Sequence, residues 1–532
     1  MKTGGYQISY LSFNGNFGDI QGAASQSPGF NYFTTWNNNN PWAEGEYFGI
    51  KDLATKPIFE NGVPLQNPDA MPGITEFDLY DRTQSISAYS PHYRSPYVQN
   101  VTFALTRNVT SNLSVDLRYI GTLTRHNFSS KNINTSNFLS NGLLEAFDAA
   151  RRGEDPALLD QLLMGVQTAF FLPPVDGVNY HGGQALRDGS FPNFTSGVYT
   201  APNQLLGQGN YTDLAHVLGY FNTGGGNGAY IEENGFPSNF IKASPQFNSA
   251  TFYDNQGSNN YHSFQAQITL RPTYGVYFQS TYTWSKNMGN SGGISPDPRD
   301  MSTGYVLLSG DRPHNWVTYG NYQLPFGPGK LVGTDTTGVL AKFIEGWQVG
   351  WITNVTSGAP LNMSAYCGMY ANCTPVEVNG GIDPSAMDFS WPDGARYGQH
   401  LFGGTRYTIV DDPQCSDLSI LDPSLQGFCN YNAIYDNVAE QIVLQNPLPG
   451  QRGTMAYNKY RDLTRWNVDM SFSKGVTVRE GLDFRFRIDV ANVFNHPRPT
   501  APAMNINSST PLGQVGSKTG NRTLQAMLRI DF

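Results

Sequence analysis

Thr523-Leu524-Gln525-Ala526-Met527-Leu528-Arg529-Ile530-Asp531-Phe532 closes the sequence. Leu524, Ala526, Leu528, Ile530 and Phe532 alternate with Thr523, Gln525, Met527, Arg529 and Asp531. A period of two marks a strand with two chemically different faces. The pattern recurs upstream. Leu482, Phe484, Phe486, Ile488 and Val490 alternate with Asp483, Arg485, Arg487 and Asp489. Trp466, Val468, Met470 and Phe472 alternate with Asn467, Asp469, Ser471 and Ser473, and Phe264, Ala266, Ile268 and Leu270 with Gln265, Gln267 and Thr269. Ten strands are expected, at roughly 4–13, 97–106, 113–123, 259–270, 276–287, 312–325, 346–364, 462–473, 482–494 and 521–532. Ends are good to about two to four residues.

Alternation alone also fits the half-buried sheet of a soluble all-β protein. The connections separate the two. In order they are 83, 6, 135, 5, 24, 20, 97, 8 and 26 residues long, so long and short alternate. Outer-membrane barrels have short turns on one side and long loops on the other. Their chains commonly end on an aromatic that the barrel-assembly machinery reads, which makes Phe532 a candidate signal. Aromatics near strand ends (Tyr97, Tyr119, Tyr282, Trp284, Trp316, Trp347, Trp466) suit membrane-interface girdles. The expected fold is therefore all-β, an antiparallel transmembrane β-barrel of about ten strands, with long extracellular loops and a small helical insertion. Its expected place is the bacterial outer membrane, with outer-membrane lipid as a partner.

Composition agrees. The 532 residues are 14% charged and 13% aromatic, with 57 Gly and 33 Pro, which excludes an all-helical or charge-driven disordered chain. A net charge of -9 gives no footprint for nucleic acid. No apolar run reaches the ~18 residues of a helical span. Mean hydropathy is negative, as a barrel allows because only every second strand residue is apolar.

Two loops stand out. In 124–258, Leu143, Leu144, Ala146, Phe147 and Ala150 fall at helical spacing, and Pro156 opens a second short helix with Leu158, Leu159, Leu162 and Leu163. A helical hairpin with its own small core is expected. The second loop, 365–461, holds all four cysteines, Cys367, Cys373, Cys415 and Cys429. Four cysteines allow three pairings. The adjacent one closes the shortest loops and is the expected one, in an oxidising outer compartment. Zinc needs closer cysteine spacing or nearby His, which neither pair has.

No catalytic, cofactor or metal site is expected. Gly289-Asn290-Ser291-Gly292-Gly293 resembles a serine-protease nucleophile motif but lacks a paired His and acid, and reads as a turn. Asp483, Arg485, Arg487 and Asp489 read as a charge ladder facing the lumen.

Several blocks, in order, resemble the C-terminal barrel portion of TonB-dependent receptor-like proteins of the Oar type. They include Ser95-Pro96-Tyr97-Val98-Gln99, Tyr119-Ile120-Gly121-Thr122, Tyr282-Thr283-Trp284-Ser285-Lys286, Asp311-Arg312-Pro313-His314, Gly346-Trp347-Gln348, Phe484-Arg485-Phe486-Arg487 and Asn492-Val493-Phe494-Asn495-His496-Pro497. The resemblance implies an outer-membrane receptor with a carboxypeptidase-regulatory-like N-terminal domain, a plug, a TonB box and a 22-stranded barrel. This sequence shows no plug or TonB box and about ten strands, so residues 1–532 read as the C-terminal part of such a barrel. The TonB complex would then act through a region absent from this chain. The expected function is capture of an extracellular ligand (peptide, glycan or metal chelate) on the loops and its passage through the lumen. The alternative is a non-transporting surface adhesin or structural outer-membrane protein.

Overall fold

The computed structural model describes residues 41–43, 46–47, 79–80, 82–167, 172–189, 201–290, 294–383, 398, 402, 406–479 and 481–532. The strand expected at 4–13 lies outside them. The chain divides into two compact units, one of residues 1–94, 128–206 and 211–255, the other of 95–127, 207–210 and 256–532.

The second unit is built on nine strands: β1 (Tyr97–Asn108), β2 (Leu113–Asn132), β3 (Ser249–Thr273), β4 (Val276–Gly289), β5 (His314–Gln323), β6 (Trp347–Thr356), β7 (Arg465–Arg479), β8 (Leu482–Ala491) and β9 (Thr523–Asp531). Each lies beside its predecessor in the sequence, without a crossover. Neighbours pair antiparallel at β1–β2 and from β3 through β9.

Register decides what this meander presents. Phe264 sits opposite Trp284, Tyr282 opposite Trp316, Val355 opposite Trp466, Phe472 opposite Ile488, and Phe486 opposite Leu528. Because strand residues point alternately to the two faces, these pairings put the apolar set of each strand on one shared face. The other face is polar: Gln265 pairs Thr283, Asn354 pairs Asn467, and Ser473 pairs Arg487. Trp284 is 60% exposed and Leu528 is 64% exposed on the apolar face. In water an apolar surface of this extent is unfavourable at roughly 25 cal/mol per Å². A bilayer removes that penalty, and the ladder supplies the backbone hydrogen bonds that lipid cannot.

A two-residue turn joins β3 to β4. Tyr274 and Gly275 hold φ of 48° and 81°. Two successive left-handed residues make the type I′ turn whose twist matches the flanking strands. Three departures from the expected boundaries have local causes. β7 runs to Arg479 rather than 473, because Lys474 and Gly475 interrupt the alternation without breaking the ladder to β6 and β8. The strand expected over 346–364 stops at Thr356, and Pro360–Leu361 instead pairs Tyr460–Arg461 as a separate ribbon. β2 and β3 extend inward, so the expected loop 124–258 narrows to 133–248.

The connections after β4, β6 and β8 pack on one another. The expected cysteine loop, 365–461, contains a four-stranded antiparallel sheet in the order Val376–Glu377, Gln441–Gln445, Asn432–Asp436, Tyr407–Asp411. Its core joins Met363, Phe402, Ile434 and Leu444 to Ile506 and Leu512 from the connection after β8. Arg461 reaches the buried Asp311 carboxylate in the connection after β4 at 2.5 Å. These three connections thus gather on one side of the sheet, as an up-and-down order requires.

In the first unit the expected helical hairpin is present as α1 (Leu143–Arg151) and α2 (Ala157–Leu162). It is joined by α3 (Gly182–Asp188), α4 (Pro202–Gly207), α5 (Tyr211–Tyr220) and α6 (Tyr230–Glu233). Leu143, Phe147, Leu159, Leu162, Leu186 and Leu214 are fully buried. Tyr211 is buried against Phe147 and donates to Asp148 Oδ1 at 2.7 Å. Desolvation raises both the Tyr211 hydroxyl and the Asp148 carboxyl above their ordinary pKa. Burial, with Lys242 close by, holds His216 down at about 4, so it is neutral at pH 7. Gly182 is needed where α3 meets α2, since a Cβ there would stand 2.2 Å from the Leu159 carbonyl oxygen.

Candidate functional site: the polar face and the loop body

On β8 the odd-numbered residues Asp483, Arg485, Arg487 and Asp489 share the polar face, as the alternation requires. Their partners come from three strands. Arg487 Nε donates to Asp489 Oδ1 at 2.8 Å. Arg485 Nε lies 3.7 Å from Asp531 on β9, which also accepts from Arg529 at 2.7 Å. Asp483 accepts from Thr477 of β7 at 2.5 Å. Toward the long-connection end of the same face, Asn467 donates to Asp469 at 2.7 Å, and Asp469 takes the backbone N–H of Asn492. The guanidinium groups stay about half exposed, so these pairs add little stability while keeping donors available.

Beside the ladder is a groove of ≈ 410 Å³ lined by the polar Tyr277, Tyr319, Asn321, Gln348, Ser471, Ser473 and Arg487 together with Trp351 and Ile352. A smaller one adjoins it, bounded by Asp469, Arg487 and Asp489. Arg487 belongs to both. Hydroxyls, carboxamides and one planar fork of donors suit hydrogen bonding to a polar ligand. Of the lining residues only Arg487 was singled out from the sequence. The others are ordinary strand residues until the register shows that β4 to β8 place them side by side.

The structure places the remaining sequence candidates as follows. Cys367 is bonded to Cys373, and Cys415 to Cys429. Both pairs lie in the loop body, apart from the ladder. Phe532 stands one residue past β9 and is fully exposed. Gly289 ends β4, while Ser291 to Gly293 lie outside the described residues.

The loop body has a polar clasp that the sequence did not reveal. Arg406 makes a forked contact to Asp436 at 2.9–3.1 Å and reaches Asp383 at 3.1 Å. The Arg406 guanidinium holds the Asp436 carboxyl below the usual carboxylate range. Asp436 also accepts the N–H groups of Val438 and Ala439, which fixes the hairpin between its two strands.

Aromatics border the apolar face. Tyr97, Trp284, Trp316 and Trp466 lie toward the long-connection ends of their strands, and Trp347 at the opposite end of β6. Tyr282 and His314 meet at 2.7 Å, Tyr119 and His262 at 2.8 Å, and Trp466 stacks on His496 with centroids 4.3 Å apart. The ten residues of β6 span roughly 33 Å. At a tilt of about 40° this is close to the ~25 Å apolar band of an outer-membrane barrel.

A family model fits this architecture. The family model described as outer membrane beta barrel domain matches residues 3–525. No curated protein matches the chain. Among solved structures it is similar to the outer membrane transporter YddB from Escherichia coli, at 8% identity and a TM-score of 0.31, over 84% of this chain and 34% of that one. It is also similar to the ferripyoverdine receptor of the outer membrane of Pseudomonas aeruginosa (10%, TM-score 0.28, 82% and 27%). A third is the FrpB iron transporter from Neisseria meningitidis (8%, TM-score 0.27, 84% and 33%). The chain spans about a third or less of the length of these structures. With its paired strands, single apolar face and aromatic borders, this chain belongs to the outer membrane beta barrel domain family and to the bacterial outer membrane.

Proposed function

We propose that the chain is the C-terminal part of a TonB-dependent receptor of the Oar type. It captures a peptide, glycan or metal chelate on its long connections and passes it along the polar face. The observation that carries this reading is one polar face bearing the Arg487 groove on a sheet whose three long connections build one loop body. A receptor needs a shaped outer surface and a hydrogen-bonding path below it, held on a rigid scaffold. In this reading the loop body faces the medium, where its two disulfides persist. The TonB complex acts through a plug region outside residues 1–532, and the barrel-assembly machinery recognises β9 with Phe532. No reaction is catalysed.

The test is uptake by cells carrying the intact gene, using radio-iron chelates, fluorescent oligopeptides and fluorescent oligosaccharides as probes. Deleting the gene is expected to abolish uptake of one probe class. The double variant Arg485→Gln/Arg487→Gln is expected to lower that uptake roughly ten-fold, the cost of losing one charge-assisted hydrogen bond, with unchanged amounts of protein in the outer membrane. Uptake of every class unchanged by the deletion would overturn the transport reading.

A further inference from the structure

The connection between β5 and β6, expected at 20 residues with no helix assigned to it, carries α7 (Gly338–Ile344). This segment lies on the short-turn side of the sheet. Val339, Leu340 and Phe343 occupy one face of the helix and are 73%, 61% and 69% exposed. Leu331 and Val332, in the approach to the helix, are exposed as well. Ala341, on the opposite face, is buried. The connection is nonetheless well tied. Gly327 N donates to Val332 O, Val332 N to Pro325 O, and Glu345 N to Ala341 O, at 2.8–3.0 Å.

Two side chains hold the carboxyl end of α7. Trp347 Nε1 donates to Phe343 O at 3.1 Å. Lys474 Nζ donates to Phe343 O at 2.8 Å and to Glu345 O at 2.6 Å. Trp347 and Lys474 are direct cross-strand partners, and the ammonium lies 5.0 Å from the indole centroid. Both belong to the apolar, lipid-facing set of β6 and β7, so the helix is fastened at the rim of that face and not beneath the polar one. Trp and Lys at a strand end are the residues that settle at a membrane interface, the first through its amphipathic ring and the second by snorkelling.

We propose that α7 is a monotopic foot: it lies in the phospholipid leaflet on the short-turn side, with Val339, Leu340 and Phe343 inserted at the headgroup–acyl boundary. Its apolar face continues the surface that lipid already covers on β6 and β7, which makes the leaflet its occupant. A short amphipathic helix of this kind binds by buried apolar area. Here the barrel supplies the anchoring that so short a helix lacks alone. The proposal rests on the apolar face of the strands being lipid-facing.

The test uses nitroxide labels on single introduced cysteines in the full chain, in vesicles of phosphatidylethanolamine and phosphatidylglycerol. The native cysteines are all disulfide-bonded, so each new thiol is labelled alone. Labels replace Leu340, Phe343, Asp335 and, as a control on β9, Leu528. Collision with oxygen relative to a water-soluble nickel chelate is expected to be several-fold higher at 340 and 343 than at 335, approaching the value at 528. A water-like ratio at 340 and 343 with a lipid-like 528 overturns the foot and leaves the barrel standing. Low access to both reagents at 340 and 343 means a protein, such as a second copy, covers the helix, and also overturns it. A water-like 528 removes the barrel reading and the foot together.

Discussion

Leu528→Arg is expected to cost about 2–4 kcal/mol of stability in a bilayer, the price of an arginine on the lipid face near the midplane. Gln525→Arg, three residues earlier on the same strand, is expected to cost less than about 1 kcal/mol. The difference comes from facing alone. Leu528 pairs Phe486 in the apolar set, while Gln525 pairs Asp489 in the polar set. An arginine at 525 meets a carboxylate and water. At 528 it must shed its hydration or drag water into hydrocarbon. Leu528 is largely exposed within the chain itself, so without lipid the same substitution belongs among surface changes of about 0.5 kcal/mol. Unfolding from phospholipid vesicles, followed by tryptophan fluorescence, reads both variants. Equal costs at 525 and 528 would contradict the assignment of faces.

Removing the Cys415–Cys429 bond with the double variant Cys415→Ser/Cys429→Ser is expected to destabilise the loop body by about 3 kcal/mol. That is the chain-entropy value for a cross-link of this size, whose sequence separation is 14 residues. The closed segment contributes Leu421 and Leu425, both fully buried, to the loop body. It also caps its own short turns, with Asp417 accepting from Ser419 N and Asp422 from Ser424 N at 2.8 Å. The variant should therefore fold but open more often. Limited proteolysis followed by mass spectrometry should show faster cleavage between residues 411 and 432. The strand ladder, which the bond does not touch, should keep its resistance. The Cys367–Cys373 bond closes a shorter loop, with a separation of 6, and its loss is expected to cost less, about 2 kcal/mol. Unchanged cleavage rates in the first variant would show that hydrophobic packing alone holds this segment.

How far the sequence carried depended on periodicity. A two-residue period survives in a single sequence, so all nine described strands of the meander were legible, with the side each apolar residue shares with its strand neighbours. Ends were less legible where the period was broken by one functional residue. Lys474 stands in an apolar position because it holds the carbonyls of α7, and the alternation could not show that. The helices α3, α4, α5 and α6 were missed; α3, α4 and α6 have four to seven residues, too few for a 3.6-residue period to emerge, whereas α5, at ten residues, is long enough and was overlooked. Gly182 carries no helical signal of its own, although it marks close packing against α2. The sheet within 365–461 was hidden for the same reason, its strands being two to five residues long. Of the candidate site, the ladder on β8 was visible as alternating charge within one strand. The groove was not, because Tyr277, Asn321, Gln348 and Ser471 come together only through register across four strands, and register is not written in any one of them.

The most direct test of the account is photolabelling of the full chain in phospholipid vesicles with a lipid carrying a carbene precursor near its acyl-chain end, with adducts located by mass spectrometry. The prediction is insertion at Phe484, Phe486, Ile488, Leu524 and Leu528 and none at Arg485, Arg487, Asp489 and Gln525. Labelling of both sets alike, or of neither, would contradict a sheet whose apolar side is covered by lipid.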